Sequence, residues 1–378
     1  MASPKTAGKT KQKKRSFHQE LVLNRWVMRF FKGNELAALK LRLGDDQHEG
    51  IDEDGQTLFF HELTRNLFEV DWISEADLRR YDLHIVEHWQ AITKHRNQLE
   101  GHVLNMKYFQ YLSLLFTEIY LDWYFTKPQA LLDGLNEELA TYSKEQGAEI
   151  FQPYIASDLN KIAFWNATGS GKTLLLHVNI KQYLHYFQAG NSNLYPDKII
   201  LLTPNEGLSK QHLEELELSG FSFSRFFDKN RTNTFKGTIE IIDINKLGDS
   251  MGDKTVAVEA FEGNNLVLVD EGHRGTGTAA GAWMQRRDAL VRGGFAFEYS
   301  ATFGQAVAKG NTVAKAEEEL LKKKAKTLFE TTALKKLDDA QLAQLVLTQV
   351  EQRQARVTAT RETYAKCILF DYSYKYFY

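Results

Sequence analysis

Ala167-Thr168-Gly169-Ser170-Gly171-Lys172-Thr173 sets two glycines one residue apart, directly ahead of a lysine and a hydroxyl. Glycines let a backbone turn tightly and aim its N–H groups inward at an anion. Lys172 is then placed to reach the β- and γ-phosphates of ATP, and the Thr173 hydroxyl to sit on Mg²⁺. The segment follows a short apolar run, Ile162–Trp165, and opens a helical run, Leu174–Phe187. A strand before and a helix after are what such a loop requires, because the helix adds its positive N-terminus to the same anion. The strict pattern asks for glycine at position 166, where this chain has Asn166; the shorter A-T-G-x-G-K-T form is intact. Thr168, Gly169, Ser170, Gly171, Lys172 and Thr173 are therefore the expected cofactor-binding residues.

A second apolar run, Leu266–Val269, ends in Asp270-Glu271-Gly272-His273. Ligands of open α/β sheets bind beyond the carboxyl ends of the strands. Asp270 is positioned there to hold Mg²⁺, and Glu271 to take a proton from an attacking water as general base. Two acids after a strand also serve as a helix N-cap; the phosphate loop upstream favours chemistry. His273 has no second His or Cys at a ligand spacing and reads as a coupling residue that hydrogen-bonds across the nucleotide site. Ser300-Ala301-Thr302 ends the next apolar run, Phe295–Tyr299, with two hydroxyls able to bridge the acidic motif to a neighbouring domain.

Residues so placed need a sheet to hold them. Ile162–Trp165, Ile199–Thr203, Ile239–Asp243, Leu266–Val269 and Phe295–Tyr299 alternate with helical stretches. Short runs apolar on both faces predict a buried, mostly parallel sheet with crossover helices, an α/β fold. Asp243 and Lys246 carry a nuclease-like D-x-x-K spacing, but a strand end followed by a helix start accounts for them as well. Residues 16–148 read as an α-helical accessory domain, with one amphipathic helix over Phe17–Phe31, a polar acidic loop over 44–55 and a helix closed or restarted at Pro128. Trp72, Trp89, Tyr108, Phe109, Phe116, Tyr120 and Trp123 read as its core. Residues 149–310 form the ATPase unit, and 311–362, rich in Ala, Glu, Lys, Leu and Gln, one or two exposed helices. Residues 1–15 hold six basic and no acidic residues, a solvated disordered tail or a phosphate-binding arm.

Composition bounds the rest. The 378 residues are 43% hydrophobic and 25% charged, which excludes a chain disordered throughout. No run is long and apolar enough to span a membrane, and no apolar h-region follows the basic N-terminus. The single cysteine, Cys367, rules out an intramolecular disulfide or a cysteine-rich zinc site and fits a reducing, cytoplasmic setting. A net charge of −2 rules out a wholly basic nucleic-acid coat.

In order, A-T-G-S-G-K-T, T-P-N-E-G-L-S-K-Q, D-E-G-H and S-A-T-F resemble motifs I, Ia, II and III of superfamily 2 helicases and translocases. The resemblance spans roughly residues 150–305. Thr203-Pro204-Asn205 and Asp270-Glu271-Gly272-His273 are similar to the Res subunits of type III restriction enzymes, rather than to DEAD-box RNA helicases, whose block reads P-T-R-E-L. The resemblance implies a RecA-like lobe that hydrolyses ATP with Mg²⁺ to move on duplex DNA, in a restriction or phage-defence system. An RNA helicase and a nucleotide-sensing module without turnover are the alternatives. It also implies roles: Lys172 and Thr173 on phosphate and Mg²⁺, Asp270 on the metal, and Glu271 on water. His273, Ser300 and Thr302 would couple hydrolysis to movement, and Thr203, Pro204 and Asn205 would lie along the nucleic-acid backbone. Gln152-Pro153-Tyr154 resembles the adenine-contacting segment ahead of motif I. Relatives close a second RecA-like lobe over ATP. No Q-x-x-x-R-x-x-R motif follows Thr302, and Gln352, Arg353 and Arg356 do not match its spacing. Residues 363–378 then read as the entrance to a second lobe lying outside this chain or on a partner subunit.

Overall fold

The computed structural model describes residues 16–33, 35–68, 72–191, 193–228, 235–248, 256–257, 261, 263–271, 287–304, 307, 355 and 358–377. A 3-10 turn at Phe17–Glu20 leads into α1 (Val22–Met28), α2 (Leu36–Leu43), α3 (Leu58–Glu62), α4 (Glu75–Glu100), α5 (Tyr108–Thr126) and α6 (Pro128–Gln146). The one helix expected over Phe17–Phe31 is split, because Leu21 (φ −77°, ψ 86°) leaves helical geometry between the turn and α1. Pro128 restarts the chain as the first residue of α6, where a missing N–H costs nothing.

The remaining described elements are β1 (Lys161–Asn166), α7 (Lys172–Gly190), β2 (Ile199–Thr203), α8 (Glu206–Leu218), β3 (Ser224–Phe226), β4 (Ile239–Asp243), β5 (Leu247–Gly248), β6 (Val256–Ala257), β7 (Leu266–Asp270), β8 (Phe295–Ser300), β9 (Ile368–Tyr372) and α9 (Tyr374–Phe377). Seven strands make one sheet in the order β3-β4-β2-β7-β8-β1-β9, every neighbouring pair parallel; β5 and β6 pair separately. Side chains alternate between its faces. Leu201, Leu268 and Phe297 join a large core with α5 and α7, while Ile200, Leu202, Val267, Val269 and Ala296 face a smaller one with Phe261 and Leu290. Burial on both faces explains why the strands read as continuous apolar runs. The sheet and its helices form a RecA-like α/β lobe preceded by a helical region.

That helical region is not a separate body. From Gln110 to Trp123 every residue of α5 is buried, the pattern of a helix covered all round. Phe116 meets Phe370 of β9 edge-on at 5.5 Å, and Gln182 of α7 donates to the Leu114 carbonyl at 3.0 Å and to Glu118 at 2.7 Å. One hydrophobic core therefore runs from α1 through α5 into the sheet. The expected core aromatics are buried or partly buried, except Trp72, which is 47% exposed with Arg29 over its ring. Residues 363–378 need correcting. Ile368–Tyr372 pairs with β1 as the edge strand of this sheet, because its apolar residues fill the gap between β1 and α5.

Two buried polar groups bear on stability. Arg287 and Glu298 are fully buried and paired at 2.8 Å, and the Tyr364 hydroxyl donates to the other Glu298 oxygen at 3.1 Å. Burial is the largest single influence and opposes the charge on Arg287, but Glu298, Tyr364 and Asp288 together outweigh it and hold the pKa above its ordinary value. His88, buried in α4, has its pKa pushed down from 6.5 to about 4 by desolvation. A depressed pKa means that the unfolded chain takes up the proton first as pH falls. Stability from a neutral His88 is thus present above pH 6.5 and lost toward about 4. Melting temperature is expected to drop across that window, and His88→Gln to flatten the drop; thermal melts of both proteins check it.

Candidate active site

β1 ends at Asn166, and the chain turns through the glycine loop into α7. Ala167 N–H donates to the Tyr372 carbonyl at 2.8 Å and Ser170 N–H to the Ala167 carbonyl at 3.2 Å, so the loop is pinned to β9. Gly169 (φ 84°) and Gly171 (φ 78°) both lie in the left-handed region, which side chains disfavour. Gly171 has a second reason: a Cβ there would stand 2.5 Å from Gln110 Nε2. Gln110, at the start of α5, donates from Nε2 to the Ser170 carbonyl at 3.3 Å and accepts the Lys107 N–H at 2.9 Å. The Tyr374 hydroxyl donates to Thr168 Oγ1 at 2.9 Å. Helical region and edge strand together brace the loop, and α7 starts at Lys172 with its N-terminus facing it.

Lys172 Nζ donates to Glu271 Oε1 at 2.6 Å, with the two side chains 15% and 19% exposed. Phosphate loop and acidic motif thus meet at the carboxyl edge of the sheet. Glu271 is the one non-glycine among the described residues with a positive φ, 57°. Such backbone is held only where surroundings over-determine it, commonly at functional sites. The Asp270 carboxylate accepts a hydrogen bond from His212 Nε2 of α8 at 3.0 Å. Thr173 and Asp270 supply hard oxygen donors of the kind Mg²⁺ takes, and the buried Ser170 hydroxyl in the same loop has no partner. The residues present fit a Mg²⁺-phosphate group.

Ser300 follows in register beside Trp165 of β1, at the same edge. Its hydroxyl accepts the Thr302 N–H at 3.0 Å, and the Trp165 indole donates to the Ala301 carbonyl at 3.2 Å. Thr302 Oγ1 is buried without a partner. His273, Gln352, Arg353 and Arg356 lie outside the described residues.

The other candidate residues are placed as follows. Gln152 N–H donates to Glu362 at 2.7 Å, and the Tyr154 hydroxyl donates to the Lys366 carbonyl, two residues ahead of β9. Thr203 is buried, its hydroxyl shared with Ser209 of α8 at 2.5 Å. Pro204 and Asn205 reach the surface, but the Asn205 carboxamide oxygen caps α8 by accepting the Leu208 N–H at 2.9 Å. Asp243 accepts the Asn245 N–H at 2.9 Å, capping the turn Ile244–Lys246 as a strand end with a helix start would. Gln110, Tyr374 and His212 carry no spacing signal and went unseen in the sequence.

No curated protein matches the chain. Residues 135–305 match the family model of the type III restriction enzyme, res subunit. With its parallel sheet, this stretch is similar to the superfamily 2 helicase-type motor domain of res subunits.

Proposed function

We propose that this lobe binds Mg²⁺-ATP and hydrolyses it to drive movement along duplex DNA, in a cytoplasmic restriction or phage-defence system. The observation that carries the reading is the Lys172–Glu271 pair, which joins the start of α7 to the residue after β7 at 2.6 Å. An incoming phosphate competes with Glu271 for Lys172 and frees the carboxylate to accept a proton from water. Mg²⁺, when bound, offsets charge on the phosphates. Thr173 and Asp270 hold it, while Ser300 and Thr302 link the site to the adjoining surface. An opposing lobe or partner subunit supplies an arginine to the far side of the γ-phosphate. Duplex DNA rather than RNA is favoured by the Pro204-Asn205-Glu206-Gly207-Leu208 block.

Lys172→Ala is expected to abolish binding of a fluorescent ATP analogue while the melting temperature stays near wild type. Lys172 sits at a partly exposed edge, so its loss opens no core cavity. Unchanged affinity would remove the phosphate-loop assignment.

A further inference from the structure

His212 stands out because the motif residues do not account for it. Its side chain is 5% exposed, its Nε2 donates to Asp270 Oδ2 at 3.0 Å, and its Nδ1 is buried without a partner. An acceptor fixed on Asp270 leaves that ring orientation as the one that makes a bond. Asp270 itself stands at the end of β7, beside β2, with Leu202 in register with Val269. One turn earlier on the same face of α8, Ser209 bonds Thr203 at the end of β2. A single helix face thus ties the ends of both strands. The exposed N-terminus of that helix, at Asn205 and Glu206, follows directly on Pro204.

We propose that His212 is a positioning residue that orients the Asp270 carboxylate for the metal and makes metal binding depend on where α8 sits. The inference rests on the Mg²⁺-nucleotide reading above and adds the element that regulates it. A carboxylate held by one hydrogen bond on Oδ2 presents its other oxygen and remaining lone pairs in a fixed direction. Partners of this kind typically contribute tenfold to a hundredfold to metal affinity. A load on the surface residues 204–206 that shifts α8 moves Nε2 relative to Asp270. The metal site then responds without direct contact to that load.

The test compares His212→Asn with His212→Gln. Both are polar, but only the glutamine amide is long enough to keep a donor near Asp270. Binding of a fluorescent ATP analogue is titrated with MgCl₂ in each protein, alongside thermal melts. His212→Asn is expected to raise the Mg²⁺ concentration for half-maximal binding by about tenfold to a hundredfold. Affinity without metal should stay at the wild-type value, and His212→Gln should stay close to wild type throughout. An unchanged Mg²⁺ requirement in His212→Asn would overturn the inference, as would an equal shift in both variants or unfolding of both. A wild-type chain that binds no nucleotide would instead overturn the Mg²⁺-nucleotide reading itself.

Discussion

Glu271→Gln is expected to lower ATP hydrolysis by about a hundredfold to ten-thousandfold, the usual worth of a general base. The amide keeps the size of the carboxylate but cannot take the proton from water. It also ends the ion pair with Lys172 at 2.6 Å, so nucleotide no longer has to displace a charged partner. Binding of Mg²⁺-ATP should therefore hold or tighten as turnover collapses. Single-turnover hydrolysis, paired with an equilibrium binding titration, separates the two. Wild-type turnover would reduce Glu271 to a strand terminator, and weakened Mg²⁺-ATP binding would make it a metal ligand.

Glu298→Ala is expected to cost about 3–5 kcal/mol of folding stability, because it takes the buried partner from a buried guanidinium and leaves it the half-exposed Asp288. Arg287 is fully buried and its main counter-charge is Glu298. Removing both charges should cost far less: a paired Arg287→Met, Glu298→Leu protein fills the space with apolar groups and recovers most of the loss. Urea unfolding of the single and double variants measures this. Equal destabilisation in both would show that shape, not charge, is what the pair contributes.

The sequence was legible where chemistry restricts residue type. Loop glycines, Lys172 and the acid pair had few interchangeable alternatives, and their strands were apolar on both faces. Partners chosen by three-dimensional position were not legible. His212 is one histidine in an ordinary amphipathic helix, and Gln110 lies sixty residues before the carbonyl it contacts. β9 was read as leading elsewhere because a five-residue run, Ile368–Tyr372, does not say which sheet it joins. The Thr203 contact was hidden for a related reason: a strand-end hydroxyl can face solvent or a neighbouring helix, and Ser209 decides it. The helical region's continuity with the sheet was hidden too, since α5 is apolar on every side and periodicity cannot tell one buried neighbour from another.

The place of β9 has a consequence for how the protein is made. Asn166 of β1 is in register with Tyr372, about two hundred residues later in the chain. At ordinary translation rates of about 5–20 residues per second, a nascent β1 waits about 10–40 s for that neighbour. During that interval α5 has emerged without Phe370 to cover Phe116, and Ala167 without the carbonyl that holds it. A polypeptide released just before residue 368 would carry every motif residue named above. Its phosphate loop would nonetheless lack one wall, leaving an intact signature on an unfinished edge that invites capture by another strand.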